Sequence, residues 1–236
     1  MSNLVVIPWR PAPSRIDAFE RVVGWYARTL PEFTVRTLDT EDELFALARI
    51  RNLAVADLEH PDDVIVINDA DTLPEPEPLR AAVAAAADTG RVQLPYTAYH
   101  WLGPEGSAQF AAGEAPQDCA YELVHRACSG VYVTTRRTWE AHGGQDERFR
   151  GWGFEDAAWY LAHETLLGAP PQRHEGRVYA LNHAVETRAG EQYERNSELM
   201  RRYRDAAGDT VAMAQLVAEG QAARAANASS GPGIAA

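Results

Sequence analysis

Residues 143–156, Gly-Gly-Gln-Asp-Glu-Arg-Phe-Arg-Gly-Trp-Gly-Phe-Glu-Asp, gather the side chains best suited to chemistry. Gly143-Gly144, and Gly151 and Gly153 around Trp152, let the backbone turn tightly and approach a ligand. The pattern places Trp152 in a loop, where an exposed indole favours ligand stacking. Glu155-Asp156 follow where a helix is expected to begin. A flat aromatic face beside acids suits a sugar, whose C–H face stacks on rings while its hydroxyls bond carboxylates. Adjacent acids also suit a helix N-terminus through its dipole alone. The chemical reading makes one carboxylate the general base for an acceptor hydroxyl, while the other bonds the sugar or orients the loop.

Asp69-Ala70-Asp71 follows the run Val-Ile-Val-Ile-Asn at 64–68. If the chain stays extended there, both carboxylates share one face. Paired hard oxygen ligands at a sheet edge can hold Mg²⁺ or Mn²⁺ against a diphosphate and neutralise charge on a leaving nucleotide. Aspartates also end strands by bonding turn backbone. His183, after a strand in Leu-Asn-His, is of a type more often structural than ligating, and becomes a metal candidate only if the carboxylates hold an ion. Arg10 in Pro8-Trp9-Arg10, and Arg51-Asn52, are candidate contacts to diphosphate or base. Asp39, after the second strand, is placed to accept from a nucleotide base.

These groups need elements to position them. Leu4–Ile7 reads as a buried strand ended by Pro8, followed by a helix capped by Ser14 with apolar residues from Ile16 to Leu30 at helical spacing. Phe33–Leu38 reads as a strand, 41–58 as a helix, and Val64–Asn68 as a central strand apolar on both faces. A helix over 78–87 and a strand at Val92–Pro95 follow. Three βα units predict a mostly parallel α/β sheet, which binds ligands at the C-terminal ends of its strands. The stretch 99–117 loses all periodicity and reads as a long loop, a candidate lid. Beyond it come a strand at Gly130–Thr134, helices over 136–142 and from Glu155, a strand at Arg177–Leu181, and a charged helix over 190–205. The expected organisation is one domain at 1–208, then a C-terminal helix and disordered tail within 209–236, the tail being the last dozen residues.

Bulk properties narrow the field. The 236 residues carry 34 acidic and 22 basic side chains, a net charge of −12. Nucleic acid is therefore an unexpected partner, since binding a phosphate backbone needs a basic face. Cys119 and Cys128 are the only cysteines, spaced like neither a zinc ribbon nor a disulfide framework, and are expected to be free thiols. The only apolar run near the start is too short for a signal peptide or membrane span, which predicts a cytoplasmic protein.

Taken together, the motifs resemble a GT-A fold glycosyltransferase, most of all the catalytic domain of the β-1,4-galactosyltransferase and chondroitin-polymerising group. Pro8-Trp9-Arg10 is similar to that family's nucleotide-binding Pro-Phe-Arg, and Asp69-Ala70-Asp71 to its Asp-Val-Asp. Gly151–Asp156 is similar to its Gly-Trp-Gly-x-Glu-Asp, preceded by Ser129-Gly130-Val131. The resemblance spans about residues 4–205. It implies a nucleoside diphosphate-sugar donor, UDP-linked by expectation, and a carbohydrate, glycan or protein acceptor. It further implies Mn²⁺ or Mg²⁺ on Asp71 and His183 with Asp69 assisting, Trp152 touching donor and acceptor, Gly151, Gly153 and Phe154 beside the acceptor, and Asp156 as base. Retaining polypeptide N-acetylgalactosaminyltransferases share Gly-Trp-Gly-x-Glu but generally lack the next aspartate, so Asp156 implies inversion. Ala180 stands where the family often has a metal-ligating methionine, and Phe154 replaces a usual glycine, which is expected to narrow the pocket. Arg51-Asn52 is similar to a pair in family 2 bacterial enzymes. Two rivals remain: a sugar-phosphate nucleotidyltransferase, disfavoured because Arg10–Arg15 has neither glycine nor lysine, and a non-catalytic carbohydrate-binding module.

Overall fold

Runs of β-branched residues with short turns between them leave this chain little choice but to stack strands under helices. The computed structural model describes residues 3–184 and 189–230, with side chains to 226. In chain order the elements are β1 (Asn3–Pro8), α1 (Ile16–Thr29), β2 (Phe33–Leu38), α2 (Leu47–Ala56), β3 (Val64–Asn68), β4 (Thr72–Pro74) and α3 (Pro76–Thr89). Next come β5 (Gln93–Leu94), β6 (Ala98–Leu102), α4 (Gly103–Ala111), β7 (Glu122–Leu123), β8 (Val131–Thr135) and α5 (Arg136–Ala141). The chain ends with α6 (Glu155–Leu167), β9 (Gln172–Arg173), β10 (Arg177–Leu181), α7 (Glu191–Ala206) and α8 (Thr210–Ser230).

The main sheet runs β2-β1-β3-β8-β5-β9. Its pairs are parallel except at β8, which is antiparallel to β3 and β5. This is the mostly parallel α/β sheet expected, made mixed by β8. A smaller sheet, β4-β10-β6-β7, went unread in the sequence. The two meet at residues 69–71, where the chain leaves β3 and enters β4 within three residues. The Asp69 amide donates to the Gly130 carbonyl at 2.7 Å, tying that crossover to the start of β8. Beneath it Asn68 accepts from Tyr26 at 2.8 Å and donates to the Asp69 and Thr72 carbonyls at 2.7 and 3.0 Å.

Two apolar clusters hold the molecule. The larger surrounds the main sheet, from Val5, Ile7, Ile65 and Ile67 to Tyr132 and Trp159. The smaller joins α6, α7 and α8 through Ala158, Ala162, Met200, Tyr203, Met213 and Leu216. Thus α8 folds back onto the domain instead of trailing from it, and it stays helical to Ser230, beyond the end at about Arg224 expected for it. The remainder of the expected tail, 231–236, lies outside the described residues.

Three local expectations change. Most of the 99–117 stretch is not a loop but β6 followed by α4, with irregular backbone only over 112–117. The helix expected over 41–58 begins only at Leu47. Ser14 caps nothing: α1 starts after Arg15, with no side-chain cap bond.

Candidate active site

Arg51 is the hub. Its guanidinium lies on α2 with no exposed surface, facing Asp69 from the sheet crossover and Asp156 from the start of α6. One terminal nitrogen donates to Asp69 Oδ1 at 2.7 Å and the other to Asp156 Oδ1 at 2.7 Å and Gln145 Oε1 at 3.1 Å. The cation also sits 5.0 Å from the Tyr132 ring centre. Burial works against the charge, but Asp156, Tyr132 and Asp69 outweigh it and push the Arg51 pKa up. Two carboxylates 87 residues apart are thereby fixed by one rigid fork.

Asp156 is held at one oxygen only. Its Oδ1 accepts from Arg51, Gln145 and the Tyr132 hydroxyl. Among the described residues Oδ2 has no hydrogen-bond partner, and the side chain keeps 20 % of its exposure. An anchored carboxylate with a free oxygen is the form a general base needs. Glu155 beside it lies buried, with Oε2 unpartnered among the described residues. Burial first, then the neighbouring Asp156 charge, push its pKa up to about 7. Burial likewise raises Asp69 to about 6, against the pull of Arg51.

Asp71 faces elsewhere. The triplet turns instead of staying extended, so Asp69 meets Arg51 while Asp71 Oδ2 meets His183 Nε2 at 2.8 Å. The reason lies in the small sheet: the Leu181 amide donates to the Asp71 carbonyl at 2.8 Å, which brings the end of β10, and His183 two residues on, against the crossover. His183 Nδ1 lies 2.8 Å from the Ala184 carbonyl, leaving Nε2 for the carboxylate. The hydrogen bond to Asp71 raises the His183 pKa. An imidazole fixed at Nδ1 by a carbonyl, with Nε2 and a carboxylate oxygen converging, is a donor set suited to Mn²⁺. Among the described residues no group of three His, Cys, Asp or Glu forms a complete cage, so phosphate and water oxygens would fill the remaining positions. Ala180 is buried in β10 and offers no ligand.

A cleft of about 300 Å³ is lined by Pro8, Arg10, Ala70, Gly151, Trp152 and Glu155 among others. Asp69, Asp71 and Asp156 adjoin these residues in the chain and His183 contacts Asp71, but none of the four is in its lining. It joins the ends of β1 and β3 to the indole loop. Arg10 is held bidentate by Asp39 at 2.9 and 3.0 Å and donates to the Asp42 carbonyl at 2.9 Å. Asp39 therefore orients Arg10 and does not itself line the cleft. Trp152 is 36 % exposed, and its ring packs beside Tyr193 of α7 at 6.2 Å. Asn196 of α7 steadies the loop by donating to the Arg150 carbonyl at 2.8 Å.

Four expected contacts sit differently. Arg51 and Asn52 are buried, so their reach is to protein groups and not to diphosphate or base. Asn52 accepts from the Gln145 amide and the Trp139 indole at 2.9 Å each and donates to the Gln145 carbonyl at 2.7 Å. A Cβ on Gly144, at φ +70°, would come within 2.5 Å of the Asn52 amide oxygen, so glycine is required there. Phe154, at φ +76°, turns toward Tyr193 at 5.2 Å and packs on the α6–α8 cluster, so it does not narrow the cleft. Gly153 likewise backs onto Tyr193, which a Cβ would meet at 3.5 Å. The sequence reading missed Tyr132 and Gln145. A tyrosine in the middle of a buried strand must find a partner for its hydroxyl, and that was the available signal.

The sequence matches no protein-family model and no curated protein. Solved structures do resemble it. The catalytic domain of Drosophila β1,4-galactosyltransferase 7, in complex with xylobiose, aligns with 82 % of this chain and 78 % of its own at 16 % identity and a TM-score of 0.50. GalNAc-T7 with UDP, GalNAc and Mn²⁺ aligns with 93 % of this chain at 10 % identity and a TM-score of 0.57, though the chain spans only 55 % of that enzyme's length. The chain has the GT-A fold. In this chain one cleft is lined by the end of β1 (Pro8), the crossover (Ala70), the indole loop (Gly151, Trp152) and the start of α6 (Glu155). Among the described residues no helix is long and apolar enough to cross a membrane.

Proposed function

We propose that the protein transfers a sugar from a nucleoside diphosphate-sugar to an acceptor hydroxyl, with inversion at the anomeric carbon. The observation that carries this reading is the half-anchored Asp156, locked by Arg51 to the crossover that bears Asp69 and Asp71. Asp156 Oδ2 takes the acceptor proton as the hydroxyl attacks the face opposite the diphosphate. Arg51, Tyr132 and Gln145 keep that carboxylate from rotating. The 300 Å³ cleft is assigned to the donor, with Arg10 as the cation near the nucleotide and Trp152 stacking the sugar. GalNAc-T7, of the same fold, is described with UDP and Mn²⁺, which supports a UDP-sugar and a divalent ion here. Asp71 and His183 would hold the ion. When bound it supplies positive charge to the departing diphosphate.

Asp156→Asn tests the assignment. Calorimetry should give unchanged UDP affinity in Mn²⁺, while transfer falls by about 10²–10⁴-fold, the range general base catalysis contributes. Near-normal turnover would remove Asp156 as base. Release of nucleoside diphosphate, and not pyrophosphate, separates transfer from a nucleotidyltransferase reaction, and the anomer of the product reads inversion directly.

A further inference from the structure

A second and larger cavity, about 730 Å³, lies on the other side of the α6 N-terminus. It shares no lining residue with the 300 Å³ cleft: Glu155 lines the first and Ala157 the second, and Asp156, between them in the chain, is in neither lining. The charges of Asp156 reach Tyr96, Tyr99 and Cys128, all of which line the larger cavity. On the reading above, this is where the acceptor lies.

Its lining is chemically unusual for this chain. In a protein of net charge −12, the cavity has three arginines, Arg126, Arg173 and Arg204, and no acidic residue in its lining. Most arginines here are neutralised by a carboxylate, as Arg10, Arg51, Arg80, Arg137 and Arg148 are. Among the described residues none of these three has a carboxylate within 4.0 Å; Arg173 donates to the Ala127 carbonyl at 2.6 Å and lies 5.4 Å from the Tyr96 ring centre. Arg126 is moreover held at φ +58°, a conformation uncommon for a residue with a side chain. Tyrosines 96, 99 and 160 supply apolar walls beside the cations.

We infer that the acceptor is anionic: a sugar or glycoside bearing a carboxylate, phosphate or sulfate, received by Arg126, Arg173 and Arg204 with its hydroxyl toward Asp156. Guanidiniums without carboxylate partners are free to form bidentate bonds to such groups. This rests on the transfer reading above, because that reading is what makes the cavity an acceptor site.

The test is binding, by calorimetry with the full chain in UDP and Mn²⁺. The probes are methyl glucuronide, glucose 6-phosphate, glucose 6-sulfate and neutral methyl glucoside. At least one anionic probe should bind about tenfold or more tighter than methyl glucoside, the least that a charged hydrogen bond confers. Arg126→Ala with Arg204→Ala, both exposed and so tolerant of replacement, should erase that preference while leaving UDP affinity unchanged. Which anion wins distinguishes a uronate from a phosphate or sulfate ester. Equal binding of all four probes by the wild-type protein overturns the proposal, as does a preference that survives the double variant. A loss of UDP affinity in that variant overturns it too, by giving the arginines to the donor. If wild-type protein binds no nucleotide yet prefers anionic probes, the transfer reading fails while the cavity's anion selectivity stands.

Discussion

Replacing Arg51 by methionine is the sharpest test of how this site is held. The substitution keeps length and apolar bulk but removes the cation between Asp69 and Asp156, each 2.7 Å away. Glu155 adds a third acid to the neighbourhood. Breaking a buried pair by removing one partner costs about 3–5 kcal/mol, because the remaining charges lose their compensation. For a domain of this size each kcal/mol moves Tm by about 2–4 °C, so the loss corresponds to roughly 6–20 °C. Arg51→Lys keeps the charge, but one ammonium cannot serve both carboxylates, so about 1.5–3 kcal/mol should go with one charged hydrogen bond. The pH dependence has a definite sign. Arg51 pulls the raised pKa values of Asp69 and Glu155 down, so without the cation both rise further above their unfolded values, the folded state binds extra protons and its penalty shrinks as pH falls. Arg51→Met should thus lose less stability at pH 5.5 than at pH 8. Adding Asp69→Asn and Asp156→Asn should recover part of the loss, since Glu155 is then the only one of the three acids left without its cation. Chemical denaturation at the two pH values measures all of this. A methionine variant within about 1 kcal/mol of wild type at pH 8 would refute the claim that a buried cation holds the two carboxylates.

Two further outcomes are expected. Mn²⁺ with UDP should raise the Tm of wild-type protein, by the equivalent of about 2.7 kcal/mol at a hundredfold excess over Kd, and the Mn²⁺-dependent part should vanish in His183→Ala; an undiminished shift would mean the ion sits elsewhere. His163 is buried neutral, accepting from the Val92 amide at 3.1 Å through Nε2 and contacting the Ala169 carbonyl at 3.1 Å through Nδ1, and burial lowers its pKa to about 4. Because the unfolded chain binds this proton near pH 6.5 and the folded one does not, the contribution of His163 to stability should fall by about 3 kcal/mol as pH drops from about 6.5 to 4. His163→Gln should flatten that slope, and an identical profile in the variant would rule out the residue as its source.

The parts of the site carried by adjacent residues were legible in sequence: the acids after β3, the indole between glycines, the pair at the start of α6. Each rests on local pattern, strand periodicity or turn chemistry. What stayed hidden depends on distance along the chain. Arg51 reads as an available cation until folding closes α2 over both carboxylates, and nothing in its neighbours announces the burial. Asp69 and Asp71 diverge because the chain changes sheets there, which three residues of sequence do not encode. The 99–117 stretch looked structureless because α4 contains Gly103, Pro104 and Gly106. Gly106 is demanded by packing, since a Cβ there would lie 1.9 Å from the Ala120 carbonyl oxygen, and so a tertiary constraint erased a helical signature. Phe154 misled for the opposite reason: its side chain belongs to the helical cluster, not to the cleft it borders.

The contacts of Tyr193 with Trp152 and Phe154 have a mechanical consequence. Because Tyr193 occupies the opening turn of α7, an indole that swings outward gives up its packing against that turn. Loss of that packing leaves Tyr193, forty-one residues downstream, more exposed, so a displaced indole loop and a loosened first turn of α7 favour one another.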